Sequence, residues 1–256
     1  MNKITTFKDL KKYNDVLFSS SDNILFLTKA GSYLYGTNKE NSDIDIRGVF
    51  LSNKSSWIGL ETVEQHIFSS DILDCCIFEV KKFLKLCYNS NPNVIELLYV
   101  TKDNPNVLIW SDQWEYIRSL LIKNVISQSA KNSFIGFATS QIKKLIIKHG
   151  NKTGRTDLVK EHGFDVKFAS HSIRLLFELE ELLQCNNITL PLNDVVRKKC
   201  LDIKNGVFYK DIEEYISDFK EKKNQVDNIG GTLRRTPDYK KYKELFLEIF
   251  NKWIKD

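Results

Sequence analysis

The chain has 256 residues, 42% of them apolar and 28% charged, with a formal net charge of +5. That apolar share is enough for a real core, in one domain or two closely packed ones, and no run approaches the roughly 18 to 20 apolar residues that span a membrane. The positive excess is lysine spread along the whole chain, which permits an anionic partner without demonstrating one.

Ile24, Leu25, Phe26 and Leu27 read as a buried strand that breaks at Gly31, where a backbone without a Cβ admits a ligand at close range. Ser32 follows with a hydroxyl at an N-terminal helix position, and the amides at a helix start favour a phosphate. Beyond residues 33–42 comes Asp43-Ile44-Asp45-Ile46. A strand sends successive side chains to opposite faces, so Asp43 and Asp45 project together while Ile44 and Ile46 face a core. Two adjacent carboxylates repel unless a cation lies between them, and hard oxygen donors beside a phosphate suit Mg²⁺. Taken alone, such a pair also fits an exposed polar strand edge. Arg47 shares the face of Asp43 and Asp45, and its guanidinium is equally suited to hold a phosphate or to neutralise a carboxylate. Ser42 is expected to hydrogen-bond within its own turn.

Ser52 to Ser70 forms a polar connection with an expected hairpin excursion around Trp57, and Asp74 to Phe78 reads as the next strand. Val80, Phe83, Leu84 and Cys87 recur at helical spacing, and Asn89-Ser90-Asn91-Pro92 ends that helix. A break near Pro105 is the expected boundary between an α+β half, residues 1–105, and a helical half, residues 106–256. In the second half Phe134, Ala138, Ile142 and Leu145 mark one long helix, and Val166, Ala169, Ile173 and Leu176 mark another, with Asn151 to His162 as the joining loop. The final helix, from Tyr239 through Leu245, Phe246, Ile249 and Phe250 to Trp253, is amphipathic and is expected to pack onto the helical bundle. Lys167, His171 and Arg174, spaced by four and three residues, lie on one helical face. Such a stripe suits a clamp on the β and γ phosphates, and equally a solvated face on which Lys167 and Arg174 pair with Asp165 and Glu178.

Five cysteines, Cys75, Cys76, Cys87, Cys185 and Cys200, include no Cys-x-x-Cys pair and no His at zinc spacing. They sit mostly among apolar residues, as small buried hydrophobes do, so a reducing, cytoplasmic compartment is expected.

Gly-Ser followed by a paired Asp-x-Asp strand resembles the DNA polymerase β-like nucleotidyltransferase superfamily. The longer stretches Gly31-Ser32-Tyr33-Leu34-Tyr35-Gly36-Thr37 and Ser42-Asp43-Ile44-Asp45-Ile46-Arg47-Gly48-Val49 resemble its YcgL / RNA-repair-pathway branch, found in bacteria and their phages. Lys82-Phe83-Leu84, Asn91 to Leu98, Gly136-Phe137-Ala138 and Ser140-Gln141 extend the resemblance over nearly the whole chain.

The resemblance implies a polymerase β-like sheet-and-helix domain over 1–105 and a mostly helical domain over 106–256. It implies transfer of a nucleoside monophosphate from an NTP to an acceptor hydroxyl with release of pyrophosphate. Asp43 and Asp45 would hold Mg²⁺ or Mn²⁺, with two ions expected, and a third carboxylate from a neighbouring strand would join them. Asp74 matches that position best, ahead of Glu79, whose other role is a charge at a helix start, and of Asp71, which reads as loop. Gly31, Ser32, Arg47, Lys167, His171 and Arg174 would bind the nucleotide. RNA is the implied acceptor, with a tRNA 3′ end as one form of it. The rival readings are nucleotidyl transfer to a protein side chain, as in toxin and antitoxin members, and a catalytically silent nucleotide- or RNA-binding module.

Overall fold

The structure, a computed structural model, describes residues 4, 6–13, 24–58, 63–150, 159 and 161–253. Most of the expected 151–162 loop, and residues 59–62 of the expected 52–70 excursion, lie outside the described residues. In chain order the elements are α1 (Phe7–Leu10), β1 (Ile24–Ala30), α2 (Gly31–Tyr35), β2 (Ile44–Phe50), α3 (Lys54–Ile58), β3 (Gln65–Ser69), β4 (Leu73–Glu79), α4 (Val80–Tyr88) and α5 (Pro92–Leu98). They continue as β5 (Val107–Trp110), α6 (Asp112–Asn124), α7 (Ser129–Gly150), α8 (Val166–Cys185), α9 (Asp194–Lys204), α10 (Ile212–Asp227) and α11 (Tyr239–Trp253). The fold is α+β, as the sequence implied.

The strands form one mixed sheet in the order β3-β4-β2-β1-β5. β2 runs parallel to β4 and antiparallel to β1, and the two outer strands pair antiparallel to their neighbours. Every residue of β1 is buried, which explains why Ile24 to Leu27 is a continuous apolar run rather than an alternation. Gly48 of β2 lies opposite Leu27 of β1, and a Cβ there would sit 2.4 Å from the Phe26 carbonyl oxygen, so the β1–β2 pairing requires glycine at that position.

The chain divides into two compact units interleaved in sequence: Met1–Tyr88 with Val100–Ile126 and Pro237–Asp256, and Asn89–Tyr99 with Ser127–Thr236. This differs from the division expected at residue 105. β5 and α6 follow Pro105 yet belong with the sheet, because β5 pairs with β1 and Trp114 of α6 stacks on Phe26 at 4.5 Å. The final helix also departs from expectation. α11 packs in the first unit, where Phe246 and Phe250 lie 5.3 and 6.1 Å from the Trp57 ring of α3. Phe26 and Trp114 are fully buried, and an aromatic buried to that extent contributes about 1.5–3 kcal/mol of transfer free energy, whereas Phe246 and Phe250 are half-buried.

In the second unit α8 is the central helix, packed against α7 and α9. Asp165 caps its start by accepting from the amides of Lys167 and Phe168, and Asn186 ends it in a left-handed conformation. The opening residues of α5 follow an Asn91 cap with Pro92 at the first turn.

Candidate active site

Gly31 ends β1 and opens α2 with φ of 57°. A Cβ built there would lie 2.1 Å from Asp45 Oδ2. The close approach that glycine permits is therefore made by the Asp45 carboxylate of the paired strand, which lies opposite Ala30 in the β1–β2 register. A carboxylate at the first turn of a helix is also favoured by the helix dipole. Ser32, the second residue of α2, is half-buried.

The turn is held from both sides. Gly36, in the left-handed region with φ of 70°, closes α2 by donating to the Tyr33 carbonyl at 3.2 Å, and the Thr37 amide reaches back to the Ser32 carbonyl at 2.8 Å. Asn106 supplies the other anchor, which the sequence analysis did not single out. Its side-chain amide donates to the Tyr33 carbonyl at 3.1 Å, while its backbone carbonyl accepts from the Lys29 amide at 2.9 Å and from Thr28 Oγ1 at 3.1 Å. The signal was an Asn-Pro-Asn turn directly before an apolar run, which marks a tight entry into β5 as well as a break. Ser42 stays within its own turn, accepting from the Lys39 amide at 2.8 Å.

The parallel pairing of β2 with β4 sets Asp45 beside Asp74 and Arg47 beside Cys76. Asp43 is exposed, one residue ahead of β2. Arg47 Nη2 donates to Asp74 Oδ2 at 2.9 Å and to Asp45 Oδ1 at 3.5 Å. Its Nη1 donates to the carbonyls of Ile46 at 2.9 Å and Asp74 at 3.1 Å. Burial works against the charge of Arg47, but the Asp74 hydrogen bond and the charges of Asp45 and Asp74 outweigh it and raise its pKa further. Of the two roles open to Arg47, this geometry is that of a guanidinium neutralising carboxylates. Among the described residues no three His, Cys, Asp or Glu side chains stand close enough to cage an ion, so the three-carboxylate set is not preassembled; Asp45 and Asp74 share a guanidinium instead.

Glu79 ends β4 on the opposite parity to Asp74 and is buried. Its carboxylate accepts from the Lys81 amide at 2.7 Å and from Ser52 Oγ at 3.2 Å. This is the helix-start role that the sequence analysis set beside the metal-binding one, and burial pushes the carboxyl up from its ordinary range. Asp71 is exposed in the bend before β4. The thiol of Cys75, on the face of β4 opposite Asp74, is pushed up to about 12 by burial and is inert as a nucleophile near neutral pH.

The helical stripe of the second unit does not present three cations. Lys167 is exposed. His171 is driven down to about 3 by burial and then by the charges of Arg174, Lys144 and Lys204, so it is neutral near pH 7. Arg174 is 3% exposed. Its Nη1 donates to Glu96 Oε2 of α5 at 3.0 Å and to Glu178 Oε1. The pairing with Glu178 is the one the sequence analysis weighed against a phosphate role, and Asp165, the partner weighed for Lys167, instead caps the helix. Lys131 likewise ties elements together, donating to the carbonyls of Asp227 at 2.6 Å and Ile229 at 2.9 Å at the end of α10.

Among known proteins, one described as an uncharacterized 38.9 kDa protein in the nrdC-mobD intergenic region of Enterobacteria phage T4 is 23% identical over 143 residues, covering 51% of this chain and 41% of its own. The chain thus matches less than half the length of that relative. A solved nucleotidyltransferase-like protein from Exiguobacterium sibiricum 255-15 aligns over 96% of this chain and 80% of its own at 7% identity, with a TM-score of 0.31. The profile of the RNA repair pathway DNA polymerase beta family matches residues 2–234. That span contains the Gly31-Ser32 turn, the Asp43-x-Asp45 strand and Asp74, and the chain belongs to this family of nucleotidyltransferases.

Proposed function

We propose that the chain transfers a nucleoside monophosphate from an NTP to a hydroxyl of an RNA acceptor, releasing pyrophosphate, on the face of β2 and β4 that carries Asp45 and Asp74, with Asp43 beside it. The observation that carries this reading is the parallel register that sets Asp45 beside Asp74, with the first turn of α2 against the Asp45 carboxylate. These donors are hard oxygens that already share one cation, the Arg47 guanidinium, which is the donor chemistry that suits Mg²⁺ or Mn²⁺. One or two such ions bound there would supply Lewis acidity toward phosphate oxygens and would lower the pKa of a hydroxyl.

The chain's own residues divide the remaining work. Asp43, Asp45 and Asp74 would hold the metal. Ser32 and the start of α2 seat the triphosphate. Asp74, whose side chain is 47% exposed against 33% for Asp45, is the more open of the two paired-strand carboxylates and faces the acceptor hydroxyl in this reading. Lys167 of the helical stripe keeps an exposed charge within the second unit. Membership of an RNA repair family supports RNA as the acceptor, a tRNA 3′ end being one form of it.

The test is label transfer from each α-labelled NTP, with Mg²⁺ or Mn²⁺, into a lysate resolved into RNA and protein, beside an Asp43→Asn/Asp45→Asn double variant. Labelled RNA that disappears in the variant is the expected result. Label on protein that depends on the same carboxylates would replace RNA with a protein side chain as acceptor. No carboxylate-dependent label in either fraction would overturn nucleotidyl transfer to a macromolecule.

A further inference from the structure

We propose that Arg47 is the resident counter-ion of the acidic site: it ties Asp45 to Asp74 while no divalent ion is bound, and an entering ion takes over those carboxylates in competition with it. This rests on the metal-dependent reading above and assigns Arg47 to the carboxylates rather than to the nucleotide.

Four contacts support it. Nη2 reaches a carboxylate oxygen on each of two neighbouring strands, Asp74 Oδ2 and Asp45 Oδ1. Nη1 is anchored on the backbone carbonyls of Ile46 and Asp74. The fork is thus turned onto the β2–β4 pair, and two of its contacts are to groups that persist whether or not an ion is present. Geometry also explains the choice of residue. Position 47 lies two residues beyond Asp45 on the same face and opposite Cys76, two beyond Asp74, so a long side chain folding back along the strands meets both carboxylates at once. A planar guanidinium satisfies two carboxylates and two carbonyls together, which an ammonium does not match.

The electrostatic consequence is a competition. Without Arg47, two carboxylates in adjacent strand positions repel each other, so the metal-free protein is less stable. The same loss removes a positive charge from beside the incoming ion. At partial exposure, with Arg47 26% and Asp45 33% exposed, the interaction is screened but not abolished.

The experiment measures Mn²⁺ binding by electron paramagnetic resonance or calorimetry, together with thermal melting with and without Mn²⁺. It uses the full chain, Arg47→Met, Arg47→Lys and Asp45→Asn. Arg47→Met is expected to bind Mn²⁺ about tenfold tighter than the unmodified chain, to melt lower without metal, and to gain more on adding Mn²⁺. Arg47→Lys keeps the charge and is expected to fall between the two; if Arg47→Met does not fold, its direction of change relative to the unmodified chain decides. Asp45→Asn is expected to weaken Mn²⁺ binding. Unchanged or weaker Mn²⁺ binding in the Arg47 variants, with Asp45→Asn still weakened, would overturn the counter-ion role and leave the metal reading standing. No Mn²⁺ binding by any of these proteins would overturn both.

Discussion

Single atoms decide the geometry around Asp45. At Gly31 an added methyl would meet Asp45 Oδ2 at 2.1 Å in a backbone conformation that side chains rarely adopt. Gly31→Ala is expected to cost about 1–3 kcal/mol, read from urea denaturation, and to lower turnover beyond that by displacing the carboxylate. Gly48→Ala meets the Phe26 carbonyl instead and should cost about the same range through strand separation, with its effect on turnover explained by stability alone. Two buried titrating groups set opposite pH dependences. Glu178 is raised to about 7, by burial first and by Glu96 and Glu181, against the pull of Arg174. A raised folded pKa contributes stability that is full below the ordinary value of 4.5 and is lost as pH rises through about 7. His171 runs the other way, with stability present above its ordinary 6.5 and lost as pH falls toward about 3. Urea midpoints from about pH 4 to pH 8 should show Glu178→Gln flattening the loss toward neutrality and His171→Gln flattening the loss in acid. Unchanged profiles in both variants would refute these assignments.

At the scale of elements, α8 is fastened to α5 by the Arg174 pair with Glu96, and Arg174 also pairs with Glu178 one turn along α8 itself. Removing the guanidinium strands two carboxylates in the core, so Arg174→Met should destabilise by about 3–5 kcal/mol. Lys167→Met, on the same helix face but exposed, should move stability by less than about 0.5 kcal/mol. Denaturant midpoints of the two variants check the contrast. Legibility also varied by element. β1, β2 and β4 were readable because burial on one or both faces writes an apolar run or an alternation into them. β3 and β5 were missed, and they are the two edge strands. Gln65-His66-Ile67-Phe68-Ser69 is paired on one side only and half-exposed, so little selects an apolar pattern there, and four residues of β5 are too few to show a period. The Lys167, His171 and Arg174 stripe was legible as a helix face, but spacing carries no information on which position the neighbouring helices cover.

For the whole molecule, the interleaving of segments makes a sharp prediction. A fragment of residues 1–105 lacks β5, the Trp114 that stacks on Phe26, and the α11 rings that cover Trp57. It should show no cooperative unfolding transition and poor amide dispersion in a nuclear magnetic resonance spectrum, and a well-dispersed, cooperative fragment would contradict the division described here. The sequence by itself determined the Gly31-Ser32 turn, the shared strand face of Asp45 and Arg47, the α+β class and the family motifs, because each is written in local spacing and backbone geometry. Only the tertiary structure decided that Asp74 stands beside Asp45, that Glu79 caps a helix, that Arg47 lies between the carboxylates, and that Arg174 is a buried tie. Each of those depends on which strand or helix becomes a neighbour, and strand register and helix packing join residues tens of positions apart that no local period connects.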